Sequence, residues 1–217
     1  GNSSLTSNTT ANSNTGVGYF TLSANTTGAN NTALGYDALG VNTTGTQNTA
    51  VGANALDTTT TGGNNTAIGY LAMDANSTGE FNTAVGSNAL RFNTTASQNN
   101  AFGLQALDAN TTGAYNNAFG VNALGANTTA SNNTAFGHAA LLANTTGTDN
   151  VAVGANALDA VTTGSYNTAV GRSALTTNTG GFNTAIGRNA LEDNTSGQEL
   201  VAVGDSCFAN NTTAGQN

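Results

Sequence analysis

Residues 133–149 read NTAFGHAALLANTTGTD. The same seventeen-letter frame fits the chain on both sides: Asn116 opens NNAFGVNALGANTTASN, and Asn150 opens NVAVGANALDAVTTGSY. Carried outward, blocks start at Asn14, Asn31, Asn48, Asn65, Asn82, Asn99, Asn116, Asn133, Asn150, Asn167, Asn183 and Leu200. The consensus is N-T-A-φ-G-x-N-A-L-x-A-N-T-T-G-x-x, with φ apolar. Position 5 is glycine from Gly18 to Gly204, position 4 is always apolar, and position 9 is leucine except at Met73 and Phe208. Only the block at Asn167 is short, lacking one Thr before Gly180.

Seventeen residues cannot bury a core alone, but stacked copies can. Gly, Asn and Thr are poor helix interiors, and the block is too short for two helices and their turns. The chain also lacks Asn-Gly and Asp-Gly, the strongest hairpin signals. The reading is an all-β parallel β-solenoid (a β-roll or β-helix), one coil per block and about 4.8 Å per coil. It covers residues 1–217 as one repeat domain of about 12 to 13 coils. The register predicts that the short coil takes up its deletion in the Asn-Thr-Gly turn, keeping Val170 and Leu175 in column.

Strand alternation then sets an expectation for each column. If position 4 faces inward, Val51, Phe102, Phe119 and Phe136 form a core ladder with Leu56, Leu107 and Leu124. Positions 3 and 8 then face outward, and Ala50, Ala55, Ala118 and Ala123 form a smooth apolar strip suited to a subunit interface. Asn at positions 1 and 12 is placed to form amide ladders between coils.

Composition narrows the function. Charged residues make up 6% of the chain and the net charge is −8, with three cationic side chains in all. Nothing here could neutralise a phosphate backbone, so nucleic acid is not expected as a partner. No apolar run approaches the roughly 20 residues of a membrane span. His138, the single histidine, occupies variable position 6, and Cys207, the single cysteine, stands in the Ala column at position 8. Four coils apart, they cannot form a nucleophile–base pair, and zinc would need more ligands. No catalytic, cofactor or metal residue is therefore expected. The acids at position 10, with Asp57 and Asp74 in adjacent coils, could at most bracket a calcium ion; a solvated turn is the simpler reading. The Asn-x-Thr/Ser sequons at position 12, from Asn8 to Asn211, read as ladder residues rather than glycan carriers.

Stretches such as NTAVGANALDTTTTGG and NTAIGRNALEDNTSGQE resemble the head repeats of trimeric autotransporter adhesins. They also resemble the N-T-A-φ-G-x-x-A-L-x-x-N-T-T-G repeats of phage tail-fibre-like surface proteins. The resemblance spans essentially the whole chain. It implies a left-handed roll, usually a homotrimer, extracellular and used for attachment, with a cell-surface or glycan receptor as the partner; end-to-end filament formation is the other mode of self-association expected, from the uncapped ends. The seventeen-residue period is longer than that of the usual adhesin head, and no stalk, anchor or chaperone domain is present. Gly1 starts mid-block and Asn217 ends mid-block, so the sequence reads as a segment of a longer chain or filament with uncapped ends. An ice-binding solenoid is the alternative.

Overall fold

The computed structural model describes residues 1–213. The chain is all-β: twelve three-residue strands, each at positions 2 to 4 of a block, stack in parallel as a β-solenoid. Two compact units are present, Gly1–Thr112 and Gly113–Asn217. The first holds β1 (Thr15–Val17), β2 (Thr32–Leu34), β3 (Thr49–Val51), β4 (Thr66–Ile68), β5 (Thr83–Val85) and β6 (Asn100–Phe102). The second holds β7 (Asn117–Phe119), β8 (Thr134–Phe136), β9 (Val151–Val153), β10 (Thr168–Val170), β11 (Thr184–Ile186) and β12 (Val201–Val203). Within each unit every strand pairs in register with the next, Ala50 opposite Ala67 and Ala135 opposite Ala152. Asn217, which the register places at position 1 of a further coil, lies outside the described residues.

The short coil keeps its place. Val170 pairs with Ile186, and Leu175 is fully buried. Asn178 takes position 12, and its Nδ2 donates to Gly180 O two residues on instead of three. The missing Thr therefore costs the turn one residue and the core nothing.

The columns face opposite to the expected phase. Ala50, Ala55, Ala118 and Ala123 are completely buried, so they are core and not an exposed interface strip. Val51, Phe102 and Phe119 are half-exposed, and Phe136 is 56% exposed, so none of the four belongs to a core ladder. Leu56, Leu107 and Leu124 are fully buried as expected. The physical reason is thickness. From Leu22 to Leu191 each coil encloses one large apolar side chain at position 9, leucine or Met73, and buried Asn at positions 1 and 12 shares most of those interiors. Only a methyl fits on the strand that closes the coil, so Ala faces in and φ faces out.

Alternation holds through the strand but fails at the corner, where positions 8 and 9 are both buried. There the backbone is not extended. Positions 7, 9 and 17 adopt left-handed φ, as in Asn54 (56°), Leu56 (52°) and Asn64 (59°). Asn tolerates this region, whereas for leucine it costs about 1–2 kcal/mol. Neighbouring coils hold the strained residues on both sides: Asn54 N donates to Tyr36 O, and Leu56 N donates to Ala72 O.

Two features explain the near-invariant letters. Position 5 has φ between 134° and 145°. A Cβ at Gly120 would lie 2.3 Å from Gly137 O, so neither the torsion nor the space admits a side chain. The Asn columns carry buried hydrogen bonds in place of apolar packing. At position 1, Asn48 N donates to Asn31 Oδ1 (2.9 Å) while Asn48 Nδ2 crosses the coil to Gly62 O (2.9 Å). At position 12, Asn42 Nδ2 donates to Asn25 Oδ1 (2.8 Å), and Asn93 Nδ2 to Asn76 Oδ1 (2.9 Å).

Candidate functional site: an uncovered apolar stripe

With the alanines inside, every strand presents positions 2 and 4 to solvent. Position 4 supplies Val17, Leu34, Val51, Ile68, Val85 and Phe102 in the first unit. In the second it supplies Phe119, Phe136, Val153, Val170, Ile186 and Val203. Exposure reaches 65% at Val203. Position 2 beside it is Thr, Asn or Val, so neither column carries a charge in any coil. Phe119 and Phe136 lie stacked on this surface with ring centroids 5.4 Å apart. An apolar stripe of this kind, present in each unit, marks a contact region. It is the interface candidate that the alanine columns cannot be.

Two exposed rims border the stripe. One is position 17, immediately before the buried position-1 residue, with Phe81, Tyr115, Tyr166 and Phe182 largely in solvent. The other is position 6, with Tyr19, Tyr36, Tyr70, exposed His138 and the arginines Arg172 and Arg188. Tyr19 stacks on Tyr36 at 5.6 Å, and Tyr166 on Phe182 at 4.9 Å. Arg188 holds Asp205 of the next coil in a two-point ion pair at 2.8 and 2.9 Å, which keeps the Asp205 carboxyl below its usual range.

The position-10 acids form a separate half-buried feature. Asp57 is pushed up to about 6, first by burial, then by the charges of Asp37 and Asp74. Burial also raises Asp74, Asp108 and Asp159. Arg91, one coil beyond Asp74, opposes the rise at Asp74 and Asp108. Among the described residues no group of three or more His, Cys, Asp or Glu is placed to hold a metal ion. The sequon asparagines from Asn25 to Asn194 are buried with their amides in the ladder. Their Nδ2 atoms face other amides rather than solvent. Cys207 is half-buried in the alanine column. Among the described residues no helix is long and apolar enough to cross a membrane.

Sequence reasoning found the columns but missed the stripe. The available signal was volume: one Leu per coil and two Asn already fill the interior. Compared with known proteins, the chain matches no family model, no curated protein and no solved structure.

Proposed function

We propose that the chain is a structural and adhesive segment of an extracellular fibre, whose coils associate side by side through the position-4 stripe into a trimer or filament. One observation carries this reading: an apolar, charge-free column of exposed or half-buried side chains faces outward in each unit. Its period matters as much as its chemistry. Side chains repeating every coil, at about 4.8 Å, can be covered row by row only by a surface with the same repeat, which another copy of the chain supplies. The ladders and close coil stacking suit a load-bearing shaft. Extracellular placement and a surface or glycan receptor rest on the resemblance to adhesin heads and fibre repeats. Association of the purified chain, measured by sedimentation equilibrium with and without a charge in the stripe, tests the reading.

A second reading has its own observation. Thr at position 2 beside Val or Ile at position 4 forms an ordered, half-buried, uncharged array in Thr49–Val51, Thr66–Ile68 and Thr83–Val85. Such an array suits ordered water, and thermal hysteresis of the purified chain tests ice binding directly. In the second unit the 56% exposed ring of Phe136, stacked on Phe119, makes that face uneven, which favours a protein partner.

A further inference from the structure

The chain has five tyrosines: Tyr19, Tyr36, Tyr70, Tyr115 and Tyr166. In the first unit Tyr19 and Tyr36 hold position 6 of neighbouring coils. Their rings lie stacked, with centroids 5.6 Å apart and planes 18° from parallel, and both are exposed. The backbone beneath them is pinned: Gly35 N donates to Val17 O (3.0 Å), and Asp37 N donates to Tyr19 O (2.9 Å). Phe20 stands edge-on to the Tyr19 ring at 4.2 Å and limits its swing. Tyr70 lies two coils beyond Tyr36, past Ala53, so their Cα atoms are about 10 Å apart. In the second unit Tyr166 stacks on Phe182, a ring with no hydroxyl, and Tyr115 is three coils from Tyr166. Among the described residues Tyr19 and Tyr36 are therefore the one pair of phenols in neighbouring coils. The first unit offers an oxidant little else, because the chain has no Trp and Met73 is fully buried. Sulfur cannot link two coils either, since Cys207 is the single cysteine.

We infer that Tyr19 and Tyr36 form an oxidative modification site, where a peroxide-driven one-electron oxidant joins the two rings into a dityrosine link between neighbouring coils. This is a property of the single chain and does not rest on the fibre reading. Each phenol gives one electron to the oxidant and its hydroxyl proton to water, leaving a tyrosyl radical with spin on the ring carbons beside the oxygen. One such Cε of Tyr19 bonds to one of Tyr36. Each bonded carbon then releases its hydrogen as a proton, water returns a proton to each oxygen, and both phenols are restored. The pair loses two electrons and two protons in all, which reduce one peroxide to two waters. Held one coil apart, the radicals meet without a diffusive encounter, which favours this bond over links between chains. The side chains project into solvent and close the remaining distance by rotation about their own bonds. The link ties one coil to the next, so the two cannot part when the stack frays locally.

The test oxidises the purified chain, carrying Cys207→Ala so that no thiol quenches the radicals, with a haem peroxidase and hydrogen peroxide at low protein concentration. Dityrosine fluorescence is read on the single-chain band of a denaturing gel, and mass spectrometry of its peptides locates the bond. Tyr36→Phe and Tyr70→Phe are treated in parallel. Each removes one hydroxyl from an exposed ring, and circular dichroism checks the fold. The expected product joins Tyr19 to Tyr36, is lighter by two hydrogen atoms, and forms with a yield per chain that dilution does not change. Tyr36→Phe should lose fluorescence about tenfold or more, while Tyr70→Phe keeps the parent's signal. The parent oxidised in denaturing urea should lose it as well, because the coils no longer hold the rings together. A Tyr36→Phe signal equal to the parent's, a signal as strong in urea as in the folded chain, or fluorescence confined to bands of linked chains overturns the assignment.

Discussion

The position-12 ladder breaks at Thr59 and at Val161, and directly beneath each break one amide oxygen is stranded. Asn42 Oδ1 and Asn144 Oδ1 are buried with no hydrogen-bond partner, because the coil above each lacks the Asn that would donate to it. An unsatisfied buried acceptor costs about 1–3 kcal/mol. Thr59→Asn should remove that cost. Its Nδ2 would reach Asn42 Oδ1, as Asn42 Nδ2 reaches Asn25 Oδ1 at 2.8 Å. Its Oδ1 would replace the long 3.4 Å contact from Asn76 Nδ2 to Thr59 Oγ1. Against this, the Thr59 hydroxyl gives up its bond to Asn76 O (3.0 Å), worth about 0.5–1.5 kcal/mol. The net expectation is stabilisation by about 1–2 kcal/mol. The reverse change in an intact stretch, Asn93→Thr, should strand Asn76 Oδ1 and destabilise by about 1–3 kcal/mol. Urea unfolding followed by circular dichroism reads both changes as midpoint shifts of opposite sign. A Thr59→Asn midpoint equal to or below that of the parent would refute the ladder as a source of stability.

Leu124→Ala should destabilise by about 2–5 kcal/mol through the cavity it leaves, whereas Phe136→Ala, 56% exposed, should cost less than about 1 kcal/mol; urea midpoints that reversed this order would restore the opposite strand phase. Gly120→Ala should cost at least about 2 kcal/mol from its left-handed torsion alone, with the clash on Gly137 O added, read as a lowered melting temperature. Asp57 carries the pH dependence. Its folded value of about 6 exceeds its ordinary 3.8, so the folded state binds the proton more tightly than the unfolded chain does. Stability from this group is complete below about pH 4 and is lost as pH rises through about 6. Asp57→Asn should flatten the fall in urea midpoint over that window, and an unchanged slope would show that the carboxylate is not repelled there.

The period, the parallel stacking, the short coil and the Asn ladders were legible because each depends on which letters recur and how far apart. The facing of the columns was not, because alternation was carried across a corner that is not a strand. Leu56 and its counterparts sit in left-handed torsions that leucine does not announce. The recurrent Asn at position 7, as at Asn54 and Asn122, is a residue that favours that torsion and was the available clue. The interface followed the facing: taking Ala50 and Ala118 as outward hid Val51 and Phe119 as the surface. Charge at the rims, read once the facing is known, is a property of the sequence alone.

Association through the stripe is tested most directly by sedimentation equilibrium of the parent chain beside Ile68→Arg and Phe136→Arg, with circular dichroism confirming that all three fold alike. Both substituted side chains already project into solvent, so each coil can accept the charge. The account predicts an oligomeric parent and variants shifted to monomer at the same concentration. A parent that stays monomeric, or variants that keep the parent's mass, would contradict it.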